Sequence, residues 1–258
     1  MTDTSSSLIR LNPDLDVAAL AGAFANGGRL HIPNIFTADS AEAVAGVLEA
    51  ETRWKTTVAA GGDFFEMPLN GRLAEDPGKQ SWLDDAKVDG ASPLTQYIFD
   101  NRRLDLREGH EAGRRDAADA ALDFMNSEVF IGFMRTLTGD DRVDLVDGQA
   151  SRYRPGHVLT SHNDVSAGKN RLYGYVLNLT RDWRADWGGN LVFYGPDGHI
   201  EHGWVPAFNA LNLFVVPTRH AVTQVASFAA KDRLSIVGWV RSHQKVGPQT
   251  REEARQAY

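Results

Sequence analysis

Hydrophobic and polar positions change their period about halfway along the chain. In "DLDVAALAGAFANGG", residues 14–28, apolar side chains recur three and four apart and Gly27-Gly28 close the run, which predicts a short amphipathic helix. "RLHIPNIF", residues 29–36, alternates like a strand. "TADSAEAVAGVLEAETRW" returns to helical spacing, with Thr37 as its expected N-cap. Residues 60–95 hold many Gly, Pro, Asn and Asp without a sustained period, the texture of a long lid or binding loop. Residues 107–139 read as helical again, ending in "SEVFIGFMRTLTG" with Ser127 as N-cap and Gly139 as terminator. From about residue 143 to 241 the texture changes. "RVDLVDGQASRY", "RLYGYVLNLT", "GNLVFYG", "NALNLFVVP", "HAVTQVAS" and "RLSIVGWV" are short β-rich runs punctuated by Gly, Pro and Asp, as in a barrel or sandwich.

Composition narrows the function classes. With 258 residues and 42% hydrophobic content there is material for a sizeable core. A net charge of −7 argues against a broad nucleic-acid surface. There is no cysteine, which removes disulfide scaffolds, thiolate zinc sites, iron–sulfur clusters and cysteine nucleophiles, and fits a cytoplasmic setting. The N-terminus has no basic and apolar leader pattern, and no apolar run is long enough to span a bilayer, so no membrane association is expected. No G-x-S-x-G elbow, H-E-x-x-H helix or phosphate-binding G-x-x-x-x-G-K-[ST] loop is present.

The chemistry concentrates in "LTSHND", residues 159–164. On a strand, His162 and Asp164 at i and i+2 share one face. Of the remaining histidines, His31, His110 and His243 lie outside the β region and His199/His202 bracket a turn. His220 sits between two apolar runs, with 55 residues separating it from Asp164. Two imidazoles and one carboxylate form the facial triad of non-haem ferrous oxygenases, which leaves adjacent coordination positions open. On its own an H-x-D is more often a surface polar pair. Arg233, thirteen residues after His220, suits a carboxylate partner if buried, but taken alone it reads first as part of the charged surface turn "AAKDR".

Taken together, "YRPGHVLTSHND", "RLYGYVLNLTRDWRADWGGNLVFY", "LNLFVVPTRH" and "RLSIVGWV" resemble the iron(II)/2-oxoglutarate-dependent oxygenases of the prolyl-hydroxylase superfamily, nearest the Ofd1/Tpa1-type branch that acts on ribosomal protein. The resemblance implies a mainly β fold with flanking helices, a double-stranded β-helix of jelly-roll (cupin) type with an N-terminal helical portion. It implies one oxygenase domain over 1–258. Residues 1–142 would be a helix-rich part with a long loop packing on the core, 143–241 the catalytic β-helix and 242–258 a tail. The second barrel of two-barrel members is not expected within these residues. His162, Asp164 and His220 would bind Fe(II). Arg233 would pair with the distal carboxylate of 2-oxoglutarate, and Tyr153, nine residues before His162, would hydrogen-bond that co-substrate. Asn178 stands where some relatives have a tyrosine contacting the same carboxylate, and Asn190 where an acidic residue usually follows Trp187-Gly188-Gly189. Trp239 is expected at the pocket floor. O2 would be the oxidant and ascorbate a candidate reductant.

The implied substrate is a proline-containing peptide or protein, a ribosomal protein among them, with a free amino acid or small metabolite as the alternative. A cupin-like binding or sensing protein is the non-catalytic alternative. More ordinary roles are also available. Tyr153 suits a barrel core, as do Trp183, Trp187, Trp204 and Trp239. His157 is expected at the solvent-exposed strand face. Phe64, Phe65 and Arg72 in the long loop are candidates for substrate contact.

Overall fold

The computed structural model describes residues 8–60, 63–68, 94–104, 115–248, 250 and 252–253. Most of the 60–95 segment, Arg72 and His110 lie outside them, as does the side chain of Phe65.

Among the described residues four helices form: α1 (Val17–Gly27), α2 (Ala38–Glu49), α3 (Ala117–Met125) and α4 (Glu128–Thr138). Their ends follow local chemistry. Asp16 accepts the Ala19 N–H at the start of α1, Ser127 accepts the Phe130 N–H at the start of α4, and Gly28 and Gly139 close those helices in left-handed conformations. Thr37 precedes α2 without capping it, because its hydroxyl bonds Ser40 Oγ at 2.8 Å instead. Among the described residues no helix is long and apolar enough to cross a membrane.

The strands are β1 (Arg29–Ile32), β2 (Lys55–Ala60), β3 (Asp63–Pro68), β4 (Tyr97–Arg103), β5 (Leu145–Val146), β6 (Gln149–Tyr153), β7 (Val158–His162), β8 (Arg171–Asn178), β9 (Leu191–Tyr194), β10 (Ile200–Trp204), β11 (Ala210–Val215), β12 (His220–Val222) and β13 (Arg233–Arg241). They pair antiparallel in the order β1-β11-β8-β13-β6-β4-β7-β12-β9-β10, a nearly closed barrel of double-stranded β-helix type. Within residues 1–142, β1 falls in the alternating run 29–36, whereas β2, β3 and β4 are strands that the sequence reading did not include. β1 extends the β11 edge, β4 lies between β6 and β7, and β2 with β3 forms a hairpin on β4. "DFFEMP" shows no alternation and becomes a strand through its partner β2, a choice made by tertiary pairing.

Period-two alternation assigns each sheet face its task. On β13, Leu234, Ile236 and Val240 pack with Leu177, Leu211 and Leu213 against Phe36, Val44, Leu48, Met125, Phe130 and Met134, the helix-side core. Burying each such side chain contributes about 1.5–3 kcal/mol. The alternate residues Arg233, Ser235 and Val237 face the barrel interior, in register with Tyr153 and Ser151 of β6 and with Asn178 and Val176 of β8. One alternation thus anchors the helices and builds the interior.

Candidate metal and co-substrate site

His162 ends β7 and His220 begins β12, and the two are register partners across that antiparallel pair. Their rings lie 4.1 Å apart. Each Nδ1 faces a main-chain carbonyl two residues upstream, Thr160 at 3.0 Å and Thr218 at 2.7 Å. A carbonyl only accepts, so each Nδ1–H donates and each Nε2 keeps its lone pair for the interior.

Asp164 does not reach the interior by strand alternation, as the i, i+2 spacing suggested. β7 has already ended, and Asp164 turns inward through a left-handed backbone (φ 64°). Its two carboxylate oxygens sit 3.4 Å from the Nε2 atoms of His162 and His220. All three donor atoms fall within 4.8 Å of one another, a geometry that fits one ion. Burial opposes ionisation of Asp164, but its contacts with the His162 and His220 rings and the nearby Arg171 charge outweigh it and hold the carboxyl well below its ordinary range. Burial, with the His162 imidazole close by, pushes His220 down to about 4, so its imidazole is neutral and ready to ligate. Phe214 packs 4.5 Å from the His220 ring and Phe193 6.2 Å from it.

Arg233 is 1% exposed, and among the described residues no carboxylate lies within ion-pair distance of it. Its terminal nitrogens donate to Ser235 Oγ at 3.2 Å and Asn178 Oδ1 at 3.3 Å, its Nε has no acceptor, and the guanidinium lies 5.2 Å from the Tyr153 ring centre. Burial lowers its pKa to about 10. A buried cation without a counter-charge is costly, so the donor set fits an incoming carboxylate. Asn178 therefore stands behind the guanidinium and steadies it. Gly188-Gly189 brings the chain against this group: Gly189 has φ 64°, and a Cβ there would meet Arg233 Cδ at 3.0 Å. The hairpin is tied to the strand bearing His220 by Gly189 N–H to Thr223 carbonyl and Asn190 N–H to Thr223 Oγ1.

Trp239 was expected at the pocket floor. Six residues further along β13, about 20 Å in an extended strand, it does not join Tyr153 and Arg233. Its ring lies 3.3 Å beneath the Arg171 guanidinium, which donates to the Asp164 carbonyl at 2.8 Å. Arg171 opens β8 with no motif to mark it, and sequence reasoning passed over it. His157 is a correction. It is 4% exposed, edge-on to Tyr153 at 6.5 Å and beside Asp100, which accepts from Arg152, Arg154 and Thr56. Strand β7 starts only at Val158, so face alternation did not apply to His157.

This is a double-stranded β-helix carrying a His–Asp–His facial metal site beside a buried, unpaired guanidinium. Residues 148–241 match the 2OG-Fe(II) oxygenase superfamily, and the chain is similar to proteins of the prolyl-hydroxylase type. It is 29% identical over 133 residues to the prolyl 3-hydroxylase OGFOD1 of Mus musculus, across 49% of this chain and 24% of that protein. It is 32% identical over 166 residues to the PKHD-type hydroxylase Mmar10_1675 of Maricaulis maris (strain MCS10), across 60% and 66%. The chain thus spans about a quarter and about two thirds of these relatives. In fold it is similar to a Pseudomonas putida prolyl-4-hydroxylase, with TM-score 0.58, 20% identity, and coverage of 88% of this chain and all of that one.

Proposed function

We propose that this protein is an iron(II)- and 2-oxoglutarate-dependent dioxygenase that hydroxylates a C–H bond of a prolyl residue in a peptide or protein. The observation that carries this reading is the uncompensated Arg233 guanidinium in the same interior as the His162–Asp164–His220 triad. His162 and His220 would hold the iron through Nε2, and the Asp164 carboxylate would offset part of its charge. Arg233 would take the far carboxylate of 2-oxoglutarate, steadied by Asn178 and Ser235, with Tyr153 forming the adjacent wall. Phe193 and Phe214 limit water around His220. When bound, iron(II) supplies oxidative decarboxylation of 2-oxoglutarate coupled to hydroxylation of the substrate. The shared sheet, with β1 and β4 paired to strands of the 143–241 region, supports one oxygenase domain.

The prolyl substrate is supported by the names of the relatives: a prolyl 3-hydroxylase, a PKHD-type hydroxylase and, in fold, a prolyl hydroxylase bound to a peptide fragment. The test supplies Fe(II), 2-oxoglutarate, ascorbate and oxygen with proline-containing peptides and, separately, free amino acids. Expected are succinate release and a gain of one oxygen on a prolyl residue, both lost in His162→Ala and Asp164→Ala proteins that remain folded. Succinate release with amino acids alone would move the substrate to small molecules. Undiminished turnover in either variant would overturn the metal assignment.

A further inference from the structure

The two histidine ligands are fixed twice over, by strand pairing and by the Nδ1 contacts to Thr160 and Thr218. Asp164 has neither support. It lies in the loop between β7 and β8, in a left-handed conformation that is unfavourable for a residue bearing a side chain. Its neighbour Asn163 organises the next turn by accepting the Val165 N–H, which leaves the Asp164 peptide to be held from elsewhere.

We infer that Arg171, seated on the face of Trp239, is a positioning residue for the metal ligand Asp164: by donating to the Asp164 carbonyl it fixes the turn that aims the carboxylate between the two imidazoles. This inference rests on the metal reading above.

The parts form a continuous chain of contacts. Trp239 is held on β13 by its register with Gly174 and by its N–H to Asp147 Oδ1 at 2.9 Å, while Asp147 Oδ2 takes Arg241 at 3.0 Å. Arg171 is the first residue of β8, stacked 3.3 Å over that indole. Its Nη1 reaches the Asp164 carbonyl at 2.8 Å, and its Nε has no acceptor. A guanidinium that leaves one buried donor unpaired but meets this carbonyl at good length is oriented by stacking and committed to a single acceptor. The carbonyl contact leaves the Asp164 carboxylate free for the interior, where its oxygens face His162 and His220. Groups that orient a metal ligand from behind act on metal affinity even though they never touch the ion.

The test titrates metal-free protein with Mn(II) alone, counting free Mn(II) by electron paramagnetic resonance, and records the Tm of each protein in EDTA. Arg171→Met keeps a stem against Trp239 and removes the donor. It should weaken Mn(II) binding by about 10- to 100-fold with little change in the metal-free Tm. Arg171→Lys keeps a charge and a donor without the flat stacking face and should fall between, roughly three- to tenfold weaker than wild type. Mn(II) affinity within twofold of wild type in both variants would overturn the inference. So would equal losses in both that track a fall in the metal-free Tm, since that marks a structural role alone. If Arg171→Met cannot be prepared folded, wild-type affinity in Arg171→Lys overturns it. Failure of the wild-type protein to bind Mn(II) is a different result and removes the metal reading itself.

Discussion

Arg233 costs the empty protein stability, and removing it should separate that cost from its use. Burial depresses the guanidinium pKa from its ordinary value to about 10. The folded pKa lies below the unfolded one, so the penalty is fully present at neutral pH and relieved only above about 10. At 1.36 kcal/mol for each tenfold change in acidity, this depression corresponds to about 3 kcal/mol. Arg233→Met removes that penalty with a side chain of similar length. Against this, Asn178 Oδ1 loses its donor, at about 1–2 kcal/mol, while Ser235 retains Ser151 Oγ at 2.8 Å. The net expectation is a gain of about 1–2 kcal/mol in the absence of co-substrate.

The assay is urea unfolding of Mn(II)-loaded protein without oxygen, with and without 2-oxoglutarate. At one hundred times its Kd, 2-oxoglutarate should stabilise wild type by about 2.7 kcal/mol. Losing the partner of a buried charge costs about 2 kcal/mol or more, at least about 30-fold in Kd. At the same concentration the variant should therefore gain less than about 1 kcal/mol. A variant that is less stable than wild type when empty, yet gains as much from 2-oxoglutarate, would refute both the buried-charge reasoning and the carboxylate assignment.

Three further substitutions probe single positions. Burial pushes His157 down to about 4 from an ordinary value of 6.5, so the unfolded chain binds the extra proton between those values and stability falls as pH drops through that window. Between pH 7.5 and 5.5 the wild type should lose about 1.4 kcal/mol more than His157→Gln in urea unfolding, and parallel slopes would refute a buried neutral imidazole. Gly188 has φ 66° and ψ −145°, and a Cβ there would run into the Gln224 carbonyl. Gly188→Ala should cost about 3 kcal/mol or more and lower the calorimetric Tm by about 6 °C or more. Gly22→Ala in α1, where a Cβ meets nothing within 4 Å, should instead raise stability by about 0.5–1 kcal/mol. A Gly188→Ala protein as stable as wild type would refute the close packing of the hairpin.

Local rules carried much of what was legible in the chain. Helix periodicity with Asp16, Ser127, Gly28 and Gly139 marked helix ends, because capping depends on neighbours a few residues away. The change to short β-rich runs marked the β region, ligand chemistry offered His162, Asp164 and His220 from residue type and order, and the family resemblance added Arg233. Tertiary structure decided whatever depended on distant partners. β3 exists because β2 pairs with it, and β4 because it can insert between β6 and β7. His157 is buried by Asp100 and its arginines, from another strand. Asp164 turns inward through a left-handed peptide rather than a strand face, and Trp239 meets Arg171 from across the sheet. Periodicity reports which face a residue presents only while its element continues. Where a strand ends, as β7 does at His162, the direction of the next side chain is set by the contacts that capture the backbone, and those contacts come from residues far away in the chain.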